Sequence, residues 1–509
     1  MTTPPVMPAP VHIRATSSQF ELTATTSIHS SGSAVDVARY LSQALRSATG
    51  FDFALRTDSE DSSDCGSTDA ASSTISLTIG DTALPVAGYL LTVRDDRIEI
   101  RADDAAHLFF GVQTLRQLLP SAIEATTAQP GPWHVRGVEI SDYPRFAYRG
   151  AMLDVARHFF SVADVQRYID RMALLKLNVL HLHLTDDQGW RLHIESWPQL
   201  TALGATTAVG GGSGGFYSAA DYAEIVEYAA SRYITIVPEI DIPGHTNAAL
   251  AAYPGLNANG TAPAPYTGIE VGFSSLAIRS EVTYQFLDDV FREVSALTPG
   301  PYLHLGGDES LATSDDDYLY FIARATHIAA SHGKTLIGWH EMGRSHELPP
   351  GTIGQYWSYV TPREDADTRV TSFIEQGGRM IMSPADAIYL DMKYASVEPL
   401  GLEWADGPTT LHDAYHWDPA AIVPGVADEH ILGIEAPLWT ETIDNLHDLD
   451  YMVFPRIIAA AEIAWSPREM HHWANFTQRL ADLSPRLDAA QINYNRVSEV
   501  SWPEVNHPS

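Results

Sequence analysis

Residues 179–187 read VLHLHLTDD, an apolar, β-rich run that ends on two adjacent carboxylates. A short apolar run of this kind is consistent with a strand buried on both faces, as strands of parallel sheets are. Amphipathic segments of helical length separate comparable runs along the chain, which indicates repeated βα units. The predicted strands are residues 149–155, 179–185, 234–240, 302–306, 335–339, 353–357, 379–382 and 431–436.

Eight strand-helix units in one chain predict a (β/α)8 barrel, the TIM barrel. Several of its helices show start signals, since Ser161 precedes Asp164 and Ser218 precedes Asp221 in the spacing of a capping box. We therefore place an α/β catalytic barrel at residues 144–509.

Upstream of the barrel, the pattern changes to alternating strands and two amphipathic helices. This mixture predicts a small α+β domain over residues 1–143, with helices at 35–47 and 105–119 and strands around 75–79 and 98–100. Residues 58–74 are rich in Asp, Ser, Gly and Thr, which is typical of an exposed loop.

Composition excludes several classes of partner. The chain has 64 acidic and 31 basic residues, a formal charge of −33 that disfavours nucleic acid. No apolar run approaches the roughly 20 residues that span a membrane.

The single cysteine, Cys65, excludes an intrachain disulfide. No signal peptide is visible, so we expect a cytoplasmic protein, or a secreted one given without its leader. Composition leaves monomer and homodimer open.

The ends of the predicted strands carry an unusual number of polar and aromatic side chains. Reactive groups of a barrel lie at the carboxyl ends of its strands. Carboxylates and indoles around one mouth suit a sugar, although any one of them could instead be a core residue or a helix cap. In strand order, the candidates are Arg157, Asp186, His245, Asp308 and Glu309, Trp339, Trp357, Tyr389 and Asp391, and Trp439 and Glu441.

Four motifs extend this pattern over most of the chain. They read YRGAMLDVARH at 148–158, HLHLTDDQGWR at 181–191, PEIDIPGH at 238–245 and HLGGDE at 304–309. With these motifs the chain resembles glycoside hydrolase family 20, the β-N-acetylhexosaminidases, and its first domain looks like the companion domain of that family. The resemblance implies removal of terminal β-linked GlcNAc or GalNAc from oligosaccharides such as chitooligosaccharides. We expect no cofactor, and no metal, since His181 and His183 alternate onto one face without cysteine or a spaced carboxylate partner and packing explains them more simply.

The resemblance also implies a substrate-assisted, retaining mechanism with an oxazolinium intermediate. In it, Glu309 is the general acid and base, and Asp308 holds the acetamido N–H of the substrate. Tyr389 donates to the acetamido oxygen, and His245 lies between the acid and Asp186.

The terminal sugar would be held by the remaining candidates, again by resemblance. Arg157 would bind O3 and O4, and Glu441, with Asp391, would bind O4 and O6. The acetamide pocket and the ring face would be walled by Trp339, Trp357 and Trp439, and the outer wall by Trp404.

Two other functions remain open. A disaccharide-releasing relative, such as a lacto-N-biosidase, would need a larger pocket, and Arg157 and Glu441 argue against it. A carbohydrate-binding barrel without catalysis would have lost the acid or its partner, whereas Asp308, Glu309 and Tyr389 are all present.

Overall fold

The computed structural model describes residues 4–57 and 73–504. Cys65 and nearly all of the predicted loop at 58–74 lie outside these residues. The described residues form two compact units. The first unit contains the residues up to Arg145, Ala173–Lys176 and the residues from Ala461 onward. The second unit contains Phe146–Met172 and Leu177–Ala460. Our division of the chain after residue 143 stays a prediction.

The first unit is built on a mixed seven-stranded sheet. Its strands are β1 His12–Leu22, β2 Ser27–Ser30, β3 Ala54–Thr57, β4 Thr74–Ile79, β5 Tyr89–Val93, β6 Arg97–Ala102 and β7 Trp133–Asp142. They lie in the order β1-β7-β5-β6-β4-β2-β3. Helices α1 (Val35–Thr49) and α2 (Ala105–Leu118) pack against it through Leu41, Leu45, Phe109 and Val112, all buried.

The second unit is a closed barrel of parallel strands. These are β8 Tyr148–Asp154, β9 Val179–His183, β10 Thr235–Glu239, β11 Tyr302–His304, β12 Thr335–Trp339, β13 Ile353–Tyr356, β14 Met380–Met382 and β15 Ile431–Ala436. Each pairs with the next, and β15 closes the ring on β8. The predicted TIM barrel with a preceding α+β domain is therefore confirmed.

Helices follow the barrel strands in the expected alternation. The α-helices after residue 160 are α3 Val162–Leu174, α4 Gln199–Ala202, α5 Ala219–Ala230, α6 Asn247–Ala252, α7 Glu281–Leu297, α8 Asp315–Ser331, α9 Ala366–Glu375, α10 Ala385–Ile388, α11 Leu411–Tyr415, α12 Pro419–Ile422, α13 Leu446–Val453, α14 Arg456–Trp465 and α15 Trp473–Ala489. Short 3-10 turns occupy Gly32–Ala34, Ser121–Glu124, Val209–Gly211, Pro254–Leu256, His340–Arg344, Asp428–His430 and Arg468–Met470.

Both predicted capping boxes form. The Ser218 hydroxyl accepts from the Asp221 N–H, and the Asp221 carboxylate accepts from the Ser218 N–H, at the start of α5. Ser161 and Asp164 make the same reciprocal pair before α3. Within the described residues, every helix is too short or too polar to cross a bilayer.

The interior of the barrel changes character along its axis. One layer is apolar and contains Tyr148, Val179, Val237, Ile337, Ile353, Ile381 and Leu432. Toward the carboxyl ends of the strands the buried side chains become polar, among them His181, His183, Glu239, His304 and Glu435. The apolar layer gives the barrel its packed core, and the polar layer underlies the strand ends where reactive groups of this fold lie.

Candidate active site

The carboxyl ends of the barrel strands surround a cavity of about 390 Å³. It is lined by Arg157, His245, Ile269, Glu270, Val271, Asp308, Glu309, Trp357, Tyr389, Leu402, Glu403, Trp404, Trp439 and Glu441. Nine of the twelve predicted site residues are in that lining. The other three, Asp186, Trp339 and Asp391, are at most 2% exposed and do not line it.

A sharp turn after β11 presents Asp308 and Glu309. The backbone reaches them through Gly306 and Gly307, with φ of 64° and 101°, and Glu309 itself has φ of 42°. A side chain at residue 306 would meet Asp241 Oδ1 at 1.7 Å, and the N–H of Gly307 donates to that oxygen at 3.0 Å. The turn buries Asp308 and leaves the Glu309 side chain 33% exposed.

The backbone of the site is strained at two catalytic candidates. Both Glu309 and His245, which has φ of 54°, lie in the left-handed region, where a non-glycine residue costs on the order of 1–3 kcal/mol. The surrounding contacts must hold these conformations, and such strain is concentrated at functional sites.

His245 connects three carboxylates. Its Nδ1 lies 3.3 Å from Asp186 Oδ1, and its Nε2 lies 3.7 Å from Asp308 Oδ2 and 3.5 Å from Glu309 Oε2. Burial alone would lower the pKa of His245, but the charges of Asp186 and Asp241 outweigh burial and hold this pKa well above its usual range. The imidazole is therefore a cation at neutral pH, with its Nε2 toward the Asp308-Glu309 pair.

Asp308 is a carboxylic acid that ionises late. Burial raises its pKa, the His245 cation opposes that rise, and the nearby Glu341 and Glu309 add to it, giving a pKa of about 7. Its Oδ1 is buried and makes no hydrogen bond among the described residues. When this carboxyl ionises, it can accept a hydrogen bond from a ligand. Positive charge on that ligand favours the ionised form.

Arg157 offers donors to the cavity. Its Nη2 lies 2.9 Å from Asp186 Oδ2, and its Cζ lies 4.7 Å from the centre of the Trp439 ring. Two other nitrogens of the guanidinium, Nε and Nη1, make no hydrogen bond within the described part of the chain, and Nη1 lies 3.5 Å from Asp154 Oδ2. Glu441 Oε2 makes no hydrogen bond among the described residues either. Buried polar atoms without hydrogen bonds at one cavity indicate a polar ligand.

Aromatic rings form the walls. The ring centre of Trp404 lies 6.0 Å from that of Trp357 and 5.7 Å from that of Tyr389, and Trp439 lies 6.4 Å from Tyr389. Trp404 is 43% exposed at the mouth. Burial, followed by the charge of Asp308, raises the pKa of Tyr389 well above its usual value, so its hydroxyl stays a donor.

One residue of the site, Glu341, was not among the predicted residues. Both of its carboxylate oxygens accept from the indole N–H of Trp357, at 3.0 and 2.9 Å, and burial raises its pKa to about 7. It lines a second cavity of about 510 Å³ that also touches Glu309 and Trp357. Glu341 lies two residues beyond the fifth barrel strand. Because reactive groups of this fold follow the carboxyl ends of its strands, Glu341 could have been predicted from the sequence.

We expect Glu341 to fix the ring of Trp357. Glu341→Ala leaves the indole N–H without its acceptor. Loss of this hydrogen bond should raise the KM for an aryl N-acetylhexosaminide about tenfold. Glu341→Gln keeps an acceptor oxygen and should stay within about threefold of wild type. Glu364→Ala, at another carboxylate of the second cavity, is the matched control. An unchanged KM in Glu341→Ala would contradict this assignment.

Groups with metal-ligand chemistry occur beneath the cavity. Among the described residues, sets such as His181-Glu239-His304 and Asp241-His245-Asp308 place their donor atoms within 4.8 Å of one another. Within the first set, both histidines already lie about 3 Å from the Glu239 carboxylate. An ion would have to displace these contacts, and the absence of a metal stays a prediction.

A closed barrel whose mouth combines carboxylates, an arginine and indoles is typical of an enzyme that acts on carbohydrate. The model of the glycosyl hydrolase family 20 catalytic domain matches residues 146–468, and that of the family's domain 2 matches residues 3–143. The chain therefore belongs to glycoside hydrolase family 20 and is a β-N-acetylhexosaminidase.

Individual relatives agree with the family models. A β-N-acetylhexosaminidase from Cellulomonas fimi is 45% identical over 418 residues, covering 82% of this chain and 81% of the relative. The structure of the β-N-acetylhexosaminidase from Streptomyces coelicolor A3(2) matches with a TM-score of 0.93 and 46% identity, covering 99% of this chain and all of that one. A variant of the β-hexosaminidase from Streptomyces plicatus, in complex with its product GlcNAc, matches with a TM-score of 0.92, 46% identity and 98% coverage of both chains.

Proposed function

We propose that this enzyme removes single terminal β-linked N-acetylhexosamines and uses the acetamido group of the substrate as its nucleophile. The observation that carries the proposal is the adjacency of Asp308 and Glu309, whose carboxylates both face one imidazole nitrogen of His245. Glycosidases with an enzyme nucleophile place two carboxyl groups on opposite sides of the scissile bond. A pair on one turn is better suited to act on two neighbouring groups of one sugar.

In the first step, the acetamido oxygen attacks the anomeric carbon while the bond to the leaving oxygen breaks. Glu309, the more exposed of the pair, donates its proton to the leaving oxygen. Asp308 accepts a hydrogen bond from the acetamido N–H and balances the charge of the oxazolinium ring, and Tyr389 donates to the acetamido oxygen.

In the second step, water attacks the same carbon from the face that the leaving group vacated. The Glu309 carboxylate takes the proton of that water, and the C–O bond to the acetamido oxygen breaks. The acetamido group and the protonated Glu309 are restored, and the product keeps the β configuration because the carbon has been inverted twice.

Recognition of the terminal sugar falls to the polar end of the cavity. The Nε and Nη1 atoms of Arg157 and the Oε2 atom of Glu441, which make no hydrogen bond among the described residues, are suited to ring hydroxyls, and the indole of Trp439 to the apolar ring face. The GlcNAc held by the Streptomyces plicatus variant supports N-acetylhexosamine as the occupant. Chitooligosaccharides are the natural class to test, because their non-reducing terminal residue is a β-linked GlcNAc.

The test compares aryl glycosides that differ only at carbon two. We expect kcat/KM for p-nitrophenyl β-glucoside to be lower by at least about 10³-fold than for p-nitrophenyl β-N-acetylglucosaminide, since the intramolecular nucleophile is absent. A thiazoline analogue of the cyclised sugar should inhibit strongly. Comparable turnover of the two glycosides would rule out the proposed nucleophile, and preferred cleavage of p-nitrophenyl lacto-N-bioside would rule out release of single sugars.

A further inference from the structure

The polar layer of the barrel interior contains an unbroken file of charged groups, which we name the floor column: Glu435, His181, Glu239 and His183. His181 Nδ1 lies 2.9 Å from Glu435 Oε1, and His181 Nε2 lies 3.0 Å from Glu239 Oε2. Glu239 Oε2 also accepts from His183 Nδ1 in a short hydrogen bond. All four side chains are fully buried. Imidazoles and carboxylates thus alternate across three barrel strands.

The floor column ends at the catalytic machinery. His183 Nε2 lies 2.8 Å from Asp186 Oδ2, and the other oxygen of Asp186 faces His245. His245 in turn faces Glu309 and Asp308. Every link from the middle of the barrel to the general acid is therefore a direct contact between ionisable groups.

The two histidines of the column are cations. Burial would lower the pKa of each, but the charges of Glu435 and Glu239 raise the pKa of His181 to about 10, and Glu239 and Asp186 raise that of His183 to about 9. Against the opposing effect of burial, His304, His183 and His181 lower the pKa of Glu239. Buried ion pairs of this kind contribute little to stability compared with apolar packing, and the barrel already has an apolar layer.

We propose that His183 and Glu239 are positioning residues for the general acid. They hold Asp186 as a carboxylate oriented toward His245, and so hold the His245 cation against Glu309 and Asp308. The inference rests on the proposed role of Glu309 as the acid. It extends the catalytic machinery by two residues, which belong to the floor column.

Other charged groups face the same atoms and enter the expected pH dependence. Asp186 is also bound by Arg157, and Asp154 is the register neighbour of His183 on the adjacent strand. The charge of Glu341 also acts on Asp308. None of these groups changes in the variants chosen below.

The test is the pH profile of His183→Gln, which removes a positive charge and keeps a hydrogen-bond donor. With less positive charge beneath Asp186, Asp308 retains its proton to higher pH. A unit charge about 10 Å away in a buried site shifts a titration by about one pH unit. Because Asp308 acts as a carboxylate, we expect the acid limb of the kcat/KM profile on p-nitrophenyl β-N-acetylglucosaminide to move upward by about that amount.

A second variant tests the other positioning residue. Glu239→Gln removes the carboxylate that keeps His183 protonated against burial, so the cation beneath Asp186 is lost and the acid limb should move upward as in His183→Gln. The control is His340→Gln, because His340 is also buried, but burial lowers its pKa to about 3 and its substitution removes no charge. Its limbs should stay at the wild-type positions. Circular dichroism and thermal unfolding establish that each variant is folded.

An upward shift in both variants distinguishes an electrostatic role from damage to packing, which would lower the rate without moving the acid limb. An acid limb that stays in place in a folded variant, or that moves downward in either variant, would overturn the inference. If only His183→Gln failed to fold, an upward shift in Glu239→Gln would still support it. Wild-type turnover in Glu309→Gln would instead overturn the proposed function, so the two failures are separable.

Discussion

Glu309→Gln is expected to lower kcat on chitobiose by about 10³-fold or more. The amide has no proton to donate at the pH of the assay, and a positioned general acid contributes about 10² to 10⁴ in rate. The N-acetylglucosamine released from chitobiose leaves as a sugar alkoxide, which needs that proton. The same amide cannot take the proton of water in the second step, so both steps lose their catalyst.

The loss should depend on the leaving group. p-Nitrophenolate leaves without protonation, so the first step on the aryl glycoside should fall less than on chitobiose, and single-turnover release of p-nitrophenol measures it. Glu403→Gln, which removes a carboxylate from the wall of the same cavity, is the matched control and should remain within a few fold of wild type. Equal losses on the two substrates would remove Glu309 from the role of acid.

Asp308→Asn is expected to lower kcat by about 10² to 10³, with a smaller effect on KM. An asparagine can still contact the acetamido group, but it brings no negative charge to the oxazolinium, and loss of one such electrostatic partner has this magnitude. Steady-state kinetics on p-nitrophenyl β-N-acetylglucosaminide measures the two parameters. A variant with raised KM and unchanged kcat would show that Asp308 only binds the substrate.

The same substitution should stabilise the fold above neutral pH. The Asp308 pKa of about 7 exceeds the ordinary value of 3.8, so the folded state keeps a proton that the unfolded chain has released. Stability therefore falls as pH rises between these two values, by an amount on the order of a few kcal/mol at most. Asp308→Asn should match the wild-type Tm near pH 4 and exceed it at pH 8, whereas Asp444→Asn, at an exposed carboxylate, should not. A Tm difference independent of pH would contradict the assignment.

The strands of the barrel could be predicted because each is a continuous apolar run. Residues 335–339 and 431–436 match β12 and β15 at both ends, and the other six strands differ by two residues or fewer at each end. Strand ends determine where side chains meet in this fold, and nine of the fourteen residues that line the cavity were among the predicted site residues. Helix α15 groups with the first unit, which local pattern cannot reveal because it depends on distant contacts.

The parts of the site that could not be predicted depend on neighbours far apart in sequence. Glu239 is central to the floor column because β9 and β11 bring His181, His183 and His304 to its carboxylate. Local sequence does not show that His181 and His183 share Glu239, because Glu239 lies on a neighbouring strand. Trp339 and Asp391 were expected at the cavity surface and instead lie buried behind it.

The left-handed backbone at Glu309 and His245 bears on how this enzyme would respond to artificial evolution. At both positions glycine would relieve the torsional penalty, by roughly 1 kcal/mol each. A library screened only for survival at high temperature would therefore enrich glycine at these sites and discard the chemistry with it. Any improvement programme for this scaffold has to select for turnover and heat resistance together.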